Sequence, residues 1–318
     1  MEIGSKARHS FTDMLRGWII LSRPPFHTVG VLPFILGTLI AWRLDSAFRI
    51  NVFLIGVAAI VLIMLSTYYA GEYYDLRGDM LSAKMERNAF SGGSQAIVKG
   101  MVRPVHAKMA SYVTLLLAGL LGLLLQFHCR TGPWTIPLGM IGMIGGFFYS
   151  TEPVRWAKRG IGELLIGICY GWLPVAAGYY IQSSSLVPLV HWVSIPIACS
   201  IFNVILINEF PDFPADLIEN KANIVVRIGK DKSALLYVII VMLELVTFPV
   251  PVLTGMSANV LFFYPVLLAI SLPVALMALK GMYMDASKLE LMCALTLCTN
   301  LLISGFYTIG IWIWGITI

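Results

Sequence analysis

The chain has 318 residues, of which 58% are hydrophobic and only 12% charged, with a formal net charge of +5. Soluble domains carry roughly one-quarter charged residues, so a water-soluble fold could not hide this much apolar surface. The composition excludes an ordinary soluble enzyme; no separate polar domain or nucleic-acid partner is expected, and the partner it demands is a lipid bilayer.

The first 18 residues, with Lys6, Arg8, Asp13 and Arg16, read as an amphipathic lead-in. They lack the apolar core and small-residue cleavage site of a signal peptide, so the N-terminus is expected to stay in the mature protein. Hydropathy then predicts an all-α, polytopic membrane protein with nine transmembrane helices, at about 25–42, 51–72, 104–126, 133–149, 162–181, 190–209, 233–254, 258–280 and 291–314. Nine crossings put the termini on opposite sides. Of the 22 Lys and Arg residues, only Arg43, Arg49 and Arg130 fall on the side away from the N-terminus. The positive-inside rule turns that asymmetry into an orientation: N-terminus and long polar loops cytoplasmic, C-terminus on the opposite side. Prolines within the spans (Pro33, Pro174, Pro196, Pro249, Pro251, Pro273) and pairs such as Gly145-Gly146 are tolerated where neighbouring helices satisfy the backbone. Cys129, Cys169, Cys199, Cys293 and Cys298 form no CxxC pair and read as buried thiols, neither disulfides nor zinc ligands.

Two nonapeptides stand apart from this background. The second span ends in G-E-Y-Y-D-L-R-G-D, residues 71–79, and the sixth in N-E-F-P-D-F-P-A-D, residues 208–216. Both carry Glu, an aromatic, Asp and Asp at matching positions, four predicted spans apart. The chain therefore reads as one domain over 1–318 with a pseudo-repeat, about 25–149 and 162–280: two four-helix units followed by a ninth helix. If the second helix continues through its motif, Glu72, Asp75 and Asp79 lie at i, i+3 and i+7 and share a face. Pro211 and Pro214 disfavour a regular helix through the second motif, where a kinked helix end presenting Asp212 and Asp216 is expected. Four aspartates facing one another would repel strongly unless cations neutralised them. Magnesium suits, because it binds through one or two carboxylates plus phosphate oxygens and retains waters. The implied ligand is a phosphate ester. Loop solvation is the plainer explanation of a single D-x-x-x-D, but not of two matched motifs closing apolar spans on one face.

At these residues the chain resembles the UbiA superfamily of intramembrane aromatic prenyltransferases, whose members carry N-D-x-x-D-x-x-x-D and D-x-x-x-D in the corresponding loops. Ser22-Arg23-Pro24, Phe90-Ser91-Gly92-Gly93-Ser94, Tyr149-Ser150 with Pro153, Arg155 and Lys158, and Asn223 through Gly229 are similar to further family landmarks. Gly71 stands where the family usually has Asn, and Glu72 and Glu209 where the first motif usually has Asp. The resemblance implies transfer of an isoprenyl group from a polyprenyl diphosphate to an aromatic acceptor, with magnesium-assisted loss of diphosphate leaving an allylic cation. It implies Asp75, Asp79, Asp212 and Asp216 as magnesium ligands, with Asn208, at the position corresponding to Gly71, supplying an amide oxygen to the metal or orienting a phosphate. Cations that could neutralise the diphosphate are Arg23, Arg77, Arg87, Arg155, Lys158 and Lys221, although basic residues on the cytoplasmic face serve topology as well. Tyr149, in the matching Tyr149-Ser150 segment, is expected to face the cation. The N-E-F-P-D wording and F-S-G-G-S are most similar to the menaquinone branch, which prenylates dihydroxynaphthoate. A hydroxybenzoate, a haem or chlorophyll precursor and a glycerol-derived lipid are alternative acceptors.

Two further residues carry weaker expectations. Glu244, near the middle of the seventh span, must be protonated, paired or facing a polar cavity; it is a candidate base, with a packing role as the plainer reading. His27 could bind an acceptor hydroxyl or shuttle a proton. A coupled transporter would also show repeats and membrane carboxylates, but its site would lie near the midplane rather than at one mouth.

Overall fold

The structure, a computed structural model, describes residues 11–85, 90 and 92–316. The described chain is helical, with a single isolated bridge between Met256 and Ile316 in place of any strand. Thirteen α-helices follow in order: α1 Phe11–Ser22, α2 His27–Asp45, α3 Ile50–Tyr74, α4 Leu76–Ser82, α5 Pro104–Leu123, α6 Thr135–Ser150, α7 Gly162–Ile166, α8 Leu173–Ser183, α9 Pro188–Ile218, α10 Ile224–Ile228, α11 Lys230–Thr247, α12 Tyr264–Leu279 and α13 Ala286–Trp314. Irregular helical turns extend several of them. A π-helical stretch at Leu124–His128 continues α5, and another at Gly167–Trp172 joins α7 to α8.

Eight helical segments among the described residues are long and apolar enough to cross a bilayer: Phe11–Asp45, Ile50–Tyr74, Pro104–His128, Gly162–Ser183, Pro188–Ile218, Lys230–Thr254, Ala258–Leu279 and Ala286–Trp314. The fourth predicted crossing corresponds to α6, whose 16 residues fall short of the roughly 20 that hydrocarbon requires. The expected count of nine is therefore not established by length. The lead-in also differs from expectation, since α1 runs into the first span with only a short break. Arg23 adopts a left-handed conformation (φ 48°) ahead of Pro24 and Pro25, which cannot continue an α-helix, and α2 starts afresh at His27.

Both motif expectations are inverted. The first motif is not one continuous helix, because α3 ends at Tyr74 and Asp75 (φ −97°, ψ 5°) separates it from α4. The second is helical throughout, α9 passing Pro211 and Pro214. Pro211 has no N–H for the carbonyl of Ile207 one turn back, and the thiol of Cys293 on α13 approaches that carbonyl at 3.8 Å. Tertiary packing thus supplies a partner the proline withholds.

Small residues set the bundle's contacts. A Cβ added at Gly37 would lie 2.0 Å from the carbonyl oxygen of Val175, and one at Gly178 would lie 2.2 Å from that of Phe34, so the backbones of α2 and α8 touch. At the end remote from the acidic motifs, Arg49 donates to the carbonyls of Cys129 (2.7 Å) and Ile181 (2.9 Å), and Tyr179 donates to Asp45 (2.6 Å). Glu244 is buried and accepts from Ser271 at 3.3 Å, which joins α11 to α12 as the packing reading expected. All five cysteines are free, and Cys298, expected to be buried, is exposed.

Candidate active site

The ends of α3, α6 and α9, with α4, Phe90, Gly92 and Gly93, enclose a cavity of about 260 Å³. Asp75, Asp79, Asp212, Asn208, Arg23, Lys221, Tyr149 and Ser150 all line it. Two motifs offset by 137 residues therefore meet at one place.

Each acidic side chain has a distinct setting. Glu72, 3% exposed, accepts from the guanidinium of Arg23 at 2.7 Å and from the backbone N–H of Ser94 at 2.6 Å. Glu72 is thereby used as a clasp between the α1–α2 break and the loop after α4. Asp75 accepts from the Ser150 hydroxyl at 2.6 Å and from Arg155 at 2.9 Å. Asp212 accepts from the Ser82 hydroxyl and from the backbone N–H of Gly92, both at 3.2 Å. Asp79 rests on Gly93, whose φ of +64° and missing Cβ make room for it: an added Cβ would lie 2.2 Å from Oδ2. Burial, reinforced by the charges of Glu72, Asp75 and Asp212 and only partly offset by Arg23, pushes the Asp79 carboxyl up to about 8. Such a group gains most from a cation brought beside it.

Not every expected residue reaches the wall. Asp216, 6% exposed, lies behind it, held by Asn223 at 2.7 Å and paired with Lys221 at 3.5 Å. Burial works against the Lys221 ammonium, but the carboxylates of Asp216 and Asp75, with Glu209, outweigh it and hold the lysine well above its ordinary value. Asp216 thus keeps Lys221 charged at the cavity edge. Arg155 stands behind Asp75. Lys158 donates to the backbone carbonyl of Glu219 at 3.1 Å, and Arg77, its side chain 83% exposed, pairs with the Glu219 carboxylate at 2.8 Å. Both brace the end of α9 instead of facing the cavity. His27 is also off the wall, its ring 5.7 Å from that of Tyr68. Arg87 and Ser91 lie outside the described residues.

Several wall residues carried no motif signal. Tyr68 lies under the Arg23 guanidinium at 5.8 Å from its ring centroid. Tyr170 comes from the π-helical stretch, an irregularity often found at functional sites. Val29, Ile166, Ile201, Val204 and Ile205 make the inner part apolar. Only the π-bulge could not have been read from sequence by any periodicity.

The donor set suits a hard cation: carboxylate oxygens from two helices and the amide oxygen of Asn208, which is buried without a hydrogen-bond partner. Among the described residues no three carboxylate, His or Cys groups converge as a closed protein cage would require. Magnesium needs no such cage, since it takes one or two carboxylates and completes its shell with waters and phosphate oxygens.

A bundle of membrane-length helices with an acidic, cation-edged cavity and an apolar inner wall is the architecture of a helical membrane protein with a site suited to anionic ligands. The chain belongs to the UbiA prenyltransferase family, whose profile matches residues 30–290, and it is a prenyltransferase. It is 26% identical over 297 residues to a 1,4-dihydroxy-2-naphthoate octaprenyltransferase of Bacillus subtilis (strain 168), covering 92% of this chain and 90% of that protein. It is 28% identical over 233 residues to a 2-carboxy-1,4-naphthoquinone phytyltransferase of Synechocystis sp., covering 72% of each. Among solved structures, a UbiA homologue from Aeropyrum pernix K1 superposes with a TM-score of 0.68 at 18% identity, covering 90% of this chain and 97% of that one. A homologue from Archaeoglobus fulgidus, bound to GPP and Mg2+, superposes with a TM-score of 0.67 at 14% identity, covering 93% and 100%. These structures share the fold.

Proposed function

We propose that the chain transfers a polyprenyl group from its diphosphate to a dihydroxynaphthoate-type aromatic acceptor, with magnesium, in quinone biosynthesis. The observation that carries the reading is the meeting of Asp79 and Asp212 with the unpartnered amide oxygen of Asn208 on one cavity wall. The naphthoate prenyltransferases among the relatives support the acceptor class, and the GPP- and Mg2+-bound homologue supports the donor and metal.

In this reading Asp79, Asp212 and Asn208 would hold magnesium, which would supply positive charge to a leaving diphosphate. Asp75 contributes from a position steadied by Ser150 and Arg155, and Asp216 acts through Lys221. Arg23 and Lys221 take the remaining phosphate charge as the allylic C–O bond breaks. Tyr149 and Tyr170 offer ring faces to the cation, the apolar inner wall keeps water from it, and a ring carbon of the acceptor attacks it, forming the new C–C bond and then losing the group it bore, a proton or a carboxyl group as CO2, to restore the aromatic ring. The site end faces the cytoplasm in this reading, with the C-terminus opposite.

Purified protein with magnesium, labelled octaprenyl diphosphate and 1,4-dihydroxy-2-naphthoate should yield prenylated product by mass spectrometry, and a hydroxybenzoate should yield far less. Asp79→Ala and Asp212→Ala should each lower kcat at least about a hundredfold, as removal of a charge-stabilising group does. Full activity in both variants would overturn the assignment.

A further inference from the structure

One acidic residue of the cavity wall has no part in the chemistry above. Glu209, 7% exposed, lines the cavity, and its Oε2 is buried without a hydrogen-bond partner. Glu72, Asp75 and Asp212 all accept from protein donors. The side chain against Glu209 is a second carboxyl, that of Glu163, which is 1% exposed and adds no N–H to the wall. One oxygen of Glu163 accepts from the backbone N–H of Ile224 at 2.6 Å, and its other oxygen also lacks a donor. A buried carboxyl oxygen left without a donor is costly. Its place on a cavity wall therefore points to a donor that arrives with a ligand.

The helical register of α9 separates Glu209 from the proposed magnesium set. Asn208 and Asp212 stand four residues apart in one row, whereas Glu209 continues the row of Ile201 and Ile205. Tyr149 packs in the same apolar cluster as Ile201 and Ile205. Glu209 is thus the polar end of an aliphatic and aromatic strip, a surface that suits a flat ring bearing a polar group at its edge.

We infer that Glu209 accepts a hydrogen bond from a ring hydroxyl of the aromatic acceptor and thereby selects hydroxylated rings. The inference rests on the prenyl-transfer reading, which brings an aromatic acceptor to this cavity. Of the reaction's components only that acceptor carries an O–H, since a prenyl diphosphate offers hydrocarbon and anionic oxygens. A hydroxyl that donates to a carboxyl oxygen pushes electron density into the ring, most at the ortho and para carbons, which are the carbons an allylic cation alkylates.

The test uses the full chain in detergent with magnesium and inorganic diphosphate, titrated with 1-naphthol or with 1-methylnaphthalene, in which a methyl group of similar size replaces the hydroxyl. Dissociation constants come from the ligand dependence of the unfolding temperature, a readout that needs no turnover and reports the folding of each variant. The wild type should bind 1-naphthol at least about tenfold more tightly, the scale of one buried hydrogen bond. Glu209→Leu and Glu209→Ala should bring that ratio close to one by weakening 1-naphthol alone. Glu209→Gln, which keeps a carbonyl oxygen, should retain most of it. A wild-type ratio near one would overturn the inference before any variant is made, and so would a ratio unchanged in Glu209→Leu. An unchanged ratio with a weakened response to magnesium would assign Glu209 to the metal instead. Selective binding of 1-naphthol through Glu209, without prenylated product from the octaprenyl donor and any acceptor, would overturn the functional reading and leave the hydroxyl-binding role standing.

Discussion

Glu72 illustrates how one side chain divides structure from chemistry. Its carboxylate is spent on Arg23 and the Ser94 amide, so it stands outside the set proposed for magnesium although it belongs to the motif. Glu72→Ala would leave both donors without a partner and should lower stability by about 1–3 kcal/mol. Glu72→Gln retains an acceptor and should lose less; a thermal-unfolding series in detergent that ranked the two equally would refute the clasp. Asn208 behaves oppositely, its amide oxygen having no protein partner to lose. Asn208→Leu should leave unfolding unchanged and raise the magnesium concentration for half-maximal rate about tenfold, the scale for groups supporting a metal. The aspartates were legible in the sequence because few reasons exist for carboxylates at matched positions beside two apolar runs. Their partners were not. Arg77, Arg155 and Lys158 all lie on the basic face that topology requires, and only the fold separates the one holding Asp75 from the two bracing Glu219.

At the scale of elements, spans were readable because hydropathy integrates over many residues, whereas helix ends depend on single contacts. Asp75 interrupts its helix while accepting from Ser150 and Arg155, partners many residues away. Pro211 fails to interrupt its helix, with Cys293 of α13 set against the carbonyl it frees. Local propensity supports neither outcome, and tertiary partners accompany both. The loop at 92–95 extends the same lesson. Gly92 offers its N–H to Asp212, and Gly93 gives Asp79 its place. Gly93→Ala would strain a left-handed residue by about 1–2 kcal/mol and press a methyl group onto the Asp79 carboxylate. Activity should fall at least about a hundredfold, with a smaller change in unfolding temperature; assay and melt on the same preparation separate the two effects. A variant as active as wild type would show that Asp79 does not need this seat.

At the scale of the whole molecule, basic side chains have different partners on different elements. Arg43 and Arg49, two of the three basic residues expected on the far side, are bound to backbone carbonyls of Trp312, Cys129 and Ile181, so they serve as clamps. Arg23, Arg77, Arg155, Lys158 and Lys221 lie at the end that carries the aspartates, where positive charge can fix orientation and draw in an anionic donor. If topology follows that bias, Glu152, beside Arg155 and 71% exposed in its side chain, faces the cytoplasm, and exposed Ser185 in the α8–α9 turn faces away. Cysteines introduced at these positions in a cysteine-free background report the side directly. An impermeant maleimide should label Glu152→Cys in inverted vesicles and Ser185→Cys only in right-side-out ones. The reverse pattern would place the acidic cavity on the far face and require the donor to be supplied there. Labelling of both positions from one side would mean an even number of crossings between them. The stretch from Glu152 to Ser185 contains the single span Gly162–Ser183, so that result would remove it from the membrane.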